Sequence, residues 1–242
     1  MKLHPALNKV YNYSLIKTLI TEWTYNDTAH TKYDTLRLNF SMQATGNDDS
    51  TVTFRVIYNN FKWNSQVNYV RDSSYAKPIN IVLNDSGSVE QVLNTDALLQ
   101  DIVNDGSTKY YVHGALPDYI SVNGVKDMFN KIFAILPVKK VGENDTWVRN
   151  HVMIAKAPVN ISNVYALEHL RNDTATIHIQ SFVSERQSEG DVTFLKGNVD
   201  GYAMINTFTG MPFLYDIRSD IVTTTNYYYI KANEHIVVTL KF

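Results

Sequence analysis

Apolar residues recur at every second position along much of the chain. Three segments show this alternation most clearly: 35–40, 51–56 and 174–179. A period of two is typical of a β-strand that has one buried face and one solvated face. Clusters of Gly, Asn, Asp and Ser, as at 46–50 and 84–87, separate such segments and favour turns. The pattern therefore predicts antiparallel sheets.

One central segment has the period of a helix instead. Between Asn123 and Leu136, six apolar residues fall at helical spacing and form one stripe: Val125, Met128, Phe129, Ile132, Phe133 and Leu136. Asn123 is the predicted N-cap, and Pro137 is expected to end the helix. Segment 88–103 is predicted to be helical or mixed.

Together these patterns predict an α+β fold that is predominantly β. We expect two antiparallel β-meanders, built from strongly curved or barrel-like sheets, with the central amphipathic helix packed on one sheet. The chain is interpreted as a single domain, 1–242. It comprises a β half at 1–87, a central helical segment at 88–140 and a second β half at 141–242.

Composition narrows the classes of function. The 242 residues include no Cys, which excludes disulfides, a thiolate nucleophile and Cys-ligated metal centres. A net charge of −2 gives no basic surface for nucleic acid. No apolar stretch approaches the roughly 20 residues of a membrane-spanning helix. The first residues lack the apolar core of a signal peptide, so either the protein is cytosolic or a leader has been removed.

Two successive motifs in the middle of the chain resemble a known family. Segment 124–137 is an amphipathic helix pattern that ends in Leu-Pro, and segment 141–147 begins Val-Gly-Glu and ends in Trp. Both are similar to motifs of the DUF6263 family, uncharacterised secreted or lipid-anchored proteins common in the Bacteroidetes. The resemblance implies a β-rich fold, a periplasmic or cell-surface location and a lipid anchor on the precursor. It implies no activity, and a cytoplasmic location stays open.

Five residues of these motifs are interpreted as structural. Gly142 is expected to supply the positive φ that reverses the chain after the helix. Trp147 is expected to pack back on the helix stripe, which contains Phe129 and Phe133, while Pro137 stops the helix.

Candidate chemistry is sparse. The seven His include no pair at i, i+4 spacing, and neither His-Glu-x-x-His nor Gly-x-Ser-x-Gly occurs. Two Ser-x-x-Lys matches, at 14–17 and 74–77, lack an accompanying Lys-Thr-Gly. The acidic turns at 47–49 and 104–106 are interpreted as ordinary turns rather than Ca²⁺ sites. No catalytic, cofactor-binding or metal-binding residue is assigned, and no cofactor is expected.

Three hypotheses of function remain. The leading one is a non-enzymatic cell-envelope protein that binds a hydrophobic ligand, a glycan or a protein partner in the concavity of its sheets. The alternative is a hydrolase whose carboxylates or histidines converge from different strands. The third is a structural or assembly protein that presents an apolar surface patch.

Overall fold

A computed structural model describes the chain at 1–25, 28–48, 50–63, 67–70, 77–96, 121–154, 158–183, 194–224 and 229–241. These residues are mostly in strands, which confirms the predicted predominance of β structure. The twelve strands and the helix described there are β1 (Val10–Tyr25), β2 (Thr28–Asn47), β3 (Thr51–Trp63), β4 (Val67–Val70), β5 (Ile79–Asn84), β6 (Val89–Leu93), α1 (Val122–Phe133), β7 (Thr146–Ile154), β8 (Pro158–Arg171), β9 (Thr174–Val183), β10 (Phe194–Asn206), β11 (Pro212–Thr224) and β12 (Tyr229–Lys241).

All twelve strands belong to one antiparallel sheet. Its order is β6-β5-β3-β2-β1-β12-β11-β10-β9-β8-β7, and the short β4 pairs with β3 beside this path. Apart from β4, the strands of each half neighbour one another in chain order, with β3 paired directly to β5. The two halves join where β1 pairs with β12, from Asn12 opposite Lys241 to Trp23 opposite Ile230. One sheet thus contains the strands of both predicted β halves.

The sheet curls until its two edges approach each other. Ten steps of about 4.8 Å would separate β6 from β7 by about 48 Å in a flat sheet. Yet Arg149 Nη1, on β7, donates to Ser88 Oγ, directly before β6, at 3.0 Å. We call this meeting of edges the seam. No pairing between the described residues of β6 and β7 closes the sheet there.

The concave face of the sheet forms the core, and α1 packs inside it. Alternate residues of β2 are fully buried on this face: Leu36, Leu38, Phe40, Met42 and Ala44. From the helix, Phe129 meets the ring of Phe40 at 5.6 Å, and Phe133 meets Tyr13 at 6.1 Å between centroids. The amphipathic helix is therefore packed on the sheet, as its stripe of apolar residues predicts.

The boundaries of the helix differ from the prediction at both ends. Its N-cap is Ser121, whose Oγ accepts the N–H of Gly124 at 3.1 Å, so the prediction of Asn123 was wrong. The apolar stripe begins only at Val125 and therefore does not locate the cap. The helix also ends at Phe133, before Leu136 and Pro137.

The predicted central helical segment begins with strand β6 instead of helix. A tight turn joins β5 to β6: Asn84 Oδ1 accepts the N–H of Ser86 at 3.1 Å and that of Ser88 at 3.0 Å. Gly87 completes the turn with φ of 83°. This turn places Val89 opposite Leu83 in the sheet, so pairing overrides the helical spacing. Segments 97–120 and 71–76, with the turn at 104–106 and Ser74, lie outside the described residues.

Candidate ligand cavity inside the curled sheet

A cavity of about 480 Å³ lies between α1, the β5–β6 turn and the concave face of β7–β12. Small-molecule sites measure about 300–1,000 Å³, whereas about 10–15 Å³ is enough for one water. The cavity arises because the helix covers only part of the concave face. Its Phe129 and Phe133 pack towards Phe40 on β2 and Tyr13 on β1, which leaves the face of the second half less covered.

The lining is largely apolar, because inward positions of the strands alternate with outward ones. Strands β8 to β11 supply most of its apolar side chains. The full apolar set is Val89, Ala134, Val138, Ile161, Tyr165, Ile179, Val199, Tyr215, Ile217 and Ile221. We call the sheet residues of this set, from Ile161 onward, the apolar floor.

Most polar groups of the lining already have partners inside the protein. Asn130 Oδ1, on α1, accepts the N–H of Val89 at 2.7 Å and so satisfies a donor of edge strand β6. Ser181 Oγ donates to Asn163 Oδ1. The helix and sheet residues that border the cavity are therefore held in fixed positions.

Glu234 forms a charged cluster on the cavity wall. Its carboxylate binds Lys17 of β1, lies 3.9 Å from Lys131 Nζ of α1 and accepts from Ser219 Oγ at 3.5 Å. Burial by itself would raise the pKa of Glu234, but Lys131, Lys17 and Ser219 together lower this pKa below its ordinary value. The cluster joins four elements at one point: β12, β1, α1 and, through Ser219, β11.

Arg149 supplies the second charged region of the wall, at the seam. Besides its bond to Ser88, its guanidinium donates through Nη2 to the carbonyl of Leu136. Its Nε is buried and has no hydrogen-bond partner among the described residues. Burial lowers the pKa of Arg149, against the opposing influence of Tyr165 and Asp85.

The described cavity lining does not bring together the groups that the hydrolase hypothesis requires. Glu234 is the one carboxylate of the lining, which contains no histidine. Three His–carboxylate pairs occur elsewhere among the described residues. His178 lies between two carboxylates, with Nε2 2.9 Å from Asp200 Oδ1 and Nδ1 3.7 Å from Glu168 Oε1, and His235 Nε2 lies 2.8 Å from Asp216 Oδ1. His235 follows Glu234 on β12 and therefore faces away from the cavity.

The five predicted structural residues do not form the surface of the cavity. Phe129 and Phe133 are buried in the core, and Pro137 is buried just beyond the helix. Trp147 stacks on Tyr165, which lines the cavity, with centroids 5.6 Å apart. None of the five is among the lining residues.

The turn that contains Gly142 differs from the prediction in one respect. The positive φ lies at Asn144, at 69°, and not at Gly142. Asn tolerates this left-handed conformation better than most residues do. Gly142 instead donates its N–H to Asp145 Oδ2 at 2.7 Å, a role that any residue with an N–H can perform.

Sequence reasoning missed Glu234 and Arg149, although a signal for Glu234 is present. Glu234 has the same parity on β12 as the buried Ile236 and Val238, so it must face inward. A charged residue at an inward position needs a partner, which the structure shows to be Lys17.

Comparison with known proteins supports the fold and shows the family. The described residues include no helix with the length and hydropathy of a membrane span. A solved structure described as "Lipid-protein interactions in lipovitellin" is similar, with a TM-score of 0.55 and 12% identity over 98% of this chain and 25% of that chain. The chain thus spans about a quarter of that protein's length, and at this identity the similarity shows the fold alone.

No curated protein matches significantly. The model of DUF6263, a family of unknown function, matches residues 25–212, most of the chain, and the protein therefore belongs to the DUF6263 family.

Proposed function

We propose that this protein binds a hydrophobic or amphipathic small molecule in the cavity between α1 and the curled sheet. The cavity carries the proposal, because about 480 Å³ of space has a continuous apolar floor of seven residues from β8 to β11, five of them aliphatic. A site of this kind suits an acyl chain. Its two aromatic lining residues, Tyr165 and Tyr215, are each only 4% exposed. They do not present the open ring faces on which a sugar stacks, so a hydrophobic ligand is favoured over a glycan.

The hydrophobic free energy of burying a short acyl chain is large enough for a ligand of modest size to bind. Each methylene taken out of water contributes about 0.8 kcal/mol, so eight methylenes on the apolar floor would contribute roughly 6 kcal/mol before the cost of association. The similar lipovitellin structure is described by its lipid–protein interactions, which supports the same class of ligand here.

The proposal is tested with the neutral fluorescent probe N-phenyl-1-naphthylamine and with the variant Val199→Trp. Val199 lines the cavity, so the larger side chain would fill part of it. We expect saturable binding of the probe to the wild type and at least about tenfold weaker binding to this variant, the equivalent of two lost methylenes. Asn198→Trp is the matched control, since Asn198 is the neighbouring exposed residue on the opposite face of β10.

Displacement of the probe by linear alcohols gives a second readout. Two additional methylenes contribute about 1.6 kcal/mol, so each such step is expected to strengthen binding by about 15-fold until the cavity is filled. If the wild type shows no saturable binding of the probe, the proposal is contradicted. The structural or assembly hypothesis then becomes the leading one. Equal binding by both Trp variants would place the ligand outside the cavity.

We also propose that the protein acts in the cell envelope, in the periplasm or at the cell surface. The support is the likeness of segments 124–137 and 141–147 to proteins that are secreted or lipid-anchored. Fractionation of cells that express the complete natural gene tests this location. Recovery of the product in the cytoplasmic fraction would contradict it.

A further inference from the structure

Arg149 brings unused hydrogen-bond donors to the wall of the cavity. A guanidinium carries five N–H donors in a planar fork. In the described structure Nη1 donates to Ser88 and Nη2 donates to the Leu136 carbonyl, while the buried Nε has no partner. One N–H on Nη1 and one on Nη2 therefore remain available to an acceptor in the cavity, whereas the Nε is too buried to be reached.

Both hydrogen-bond partners of Arg149 are neutral, and the side chain is partly buried. No carboxylate of the described residues lies within ion-pair distance of its guanidinium; Asp85 acts on it from farther away and is itself paired with Lys2 at 2.8 Å. The other lining cation, Lys131, is near Glu234 at 3.9 Å, and Glu234 itself binds Lys17. A half-buried charge with only neutral partners is unfavourable unless an anion joins it. Of the two charged regions of the wall, the seam is the one whose cation has no described carboxylate in contact with it.

We infer that Arg149 binds the anionic head group, a carboxylate or a phosphate, of a single-chain amphiphile whose tail lies on the apolar floor. The inference rests on the function proposed above and names the ligand class. A planar fork of donors matches the oxygens of a carboxylate or phosphate and can form two parallel bonds with either. Arg149 and the floor residues Ile179 and Val199 line the same cavity, so one molecule reaches both.

The first experiment compares three 10-carbon ligands on the wild-type protein: decanoic acid, decyl phosphate and decanol. Each displaces N-phenyl-1-naphthylamine at neutral pH, at concentrations at which it stays monomeric. We expect the two anions to bind at least about tenfold more tightly than the alcohol, since hydrogen bonds to charged groups are the stronger ones. Equal affinity of acid and alcohol would overturn the role of Arg149 and leave hydrophobic binding intact. If none of the three displaces the probe, the proposed function fails as well.

The second experiment changes the guanidinium. Arg149→Met is expected to lower the affinity for the acid to that for the alcohol, with alcohol binding unchanged. Arg149→Lys retains the charge without the fork and is expected to retain part of the preference. Arg171→Met removes an equal charge from an exposed position at the end of β8 and serves as the matched control. An acid preference that persists in Arg149→Met would overturn the inference. If Arg149→Met does not fold, the inference is judged from Arg149→Lys and from the comparison of the three ligands on the wild-type protein.

Free anions separate an amphiphile site from a plain anion site. Acetate and inorganic phosphate are expected not to displace the probe at millimolar concentration, because they gain nothing from the apolar floor. If inorganic phosphate displaces the probe at the same concentration as decyl phosphate does, the site is an anion site without tail recognition. That result would overturn the proposed ligand class.

Discussion

Glu234→Gln is expected to destabilise the fold through the charged cluster on the cavity wall. The substitution keeps the size of the side chain and removes its charge. It removes the negative charge of the Lys17–Glu234 ion pair, at a position where the Lys17 side chain is only 19% exposed. Lys131 also loses its nearest anion. The contacts among β12, β1 and α1 that meet at this point are weakened together.

The magnitude follows from the burial of the two partners. Removal of one member of a buried ion pair costs about 3–5 kcal/mol. Glu234 and Lys17 keep 14% and 19% of their side-chain surface, so solvent reduces this cost to about 2–3 kcal/mol. Lys131 adds little, because it is 39% exposed and 3.9 Å away.

The effect must depend on pH in a defined direction. The pKa of Glu234 is lowered in the folded protein, so the folded state holds the ionised form more strongly than the unfolded chain does. The carboxylate therefore contributes stability above its unfolded pKa of about 4.5, and this contribution is lost as the pH falls through the folded pKa. Gln does not titrate. The difference in stability between wild type and variant should be largest near neutral pH and should shrink in acid.

Urea denaturation followed by circular dichroism measures the free energy of unfolding at neutral pH and in acid. The slope of this free energy against urea concentration should be the same for both proteins, which checks that the substitution does not change the unfolded state. Glu90→Gln is the matched control, since Glu90 is exposed on β6, and its cost should stay below about 0.5 kcal/mol. A Glu234→Gln variant as stable as Glu90→Gln at neutral pH would refute the reasoning. So would a difference of the same size at both pH values.

Two further substitutions test the packing around the helix. Gly87→Ala is expected to cost at least about 2 kcal/mol, because Gly87 has φ of 83° and a methyl group there overlaps the carbonyl of Phe133. Gly142→Ala is the control, since its methyl group meets nothing closer than 3.8 Å and should change stability by less than about 0.5 kcal/mol. Equal losses of stability for the two variants in thermal denaturation would contradict the tight contact of Gly87 with the end of the helix. Phe129→Ala should cost about 3–5 kcal/mol in urea denaturation, because Phe129 is fully buried. A cost below about 1 kcal/mol would show that the stripe does not hold the helix in the sheet.

The parts of the fold that were predictable are those that depend on neighbouring residues. Alternation along β2 places Leu36 and Phe40 on the same face whatever the strand pairs with, and the structure buries both. The helical stripe that contains Phe129 and Phe133 is predictable for the same reason. Three predictions that failed, Asn123 as N-cap, the helix end at Leu136 and positive φ at Gly142, concern ends and turns, where local hydrogen bonds select among several suitable residues. The prediction of helical or mixed structure from residue 88 failed at β6, because pairing with β5 overrides the local spacing.

The sequence by itself determined which side chains face inward, because the periods of strand and helix are properties of the local backbone. Only the tertiary structure decided which of these inward residues meet. Lys17 and Glu234 lie at opposite ends of the chain and pair because β1 lies beside β12. Arg149 reaches Ser88 because the whole sheet curls until its edges approach. The cavity likewise exists only as the space that α1 leaves uncovered, a volume set by the curvature of the complete sheet.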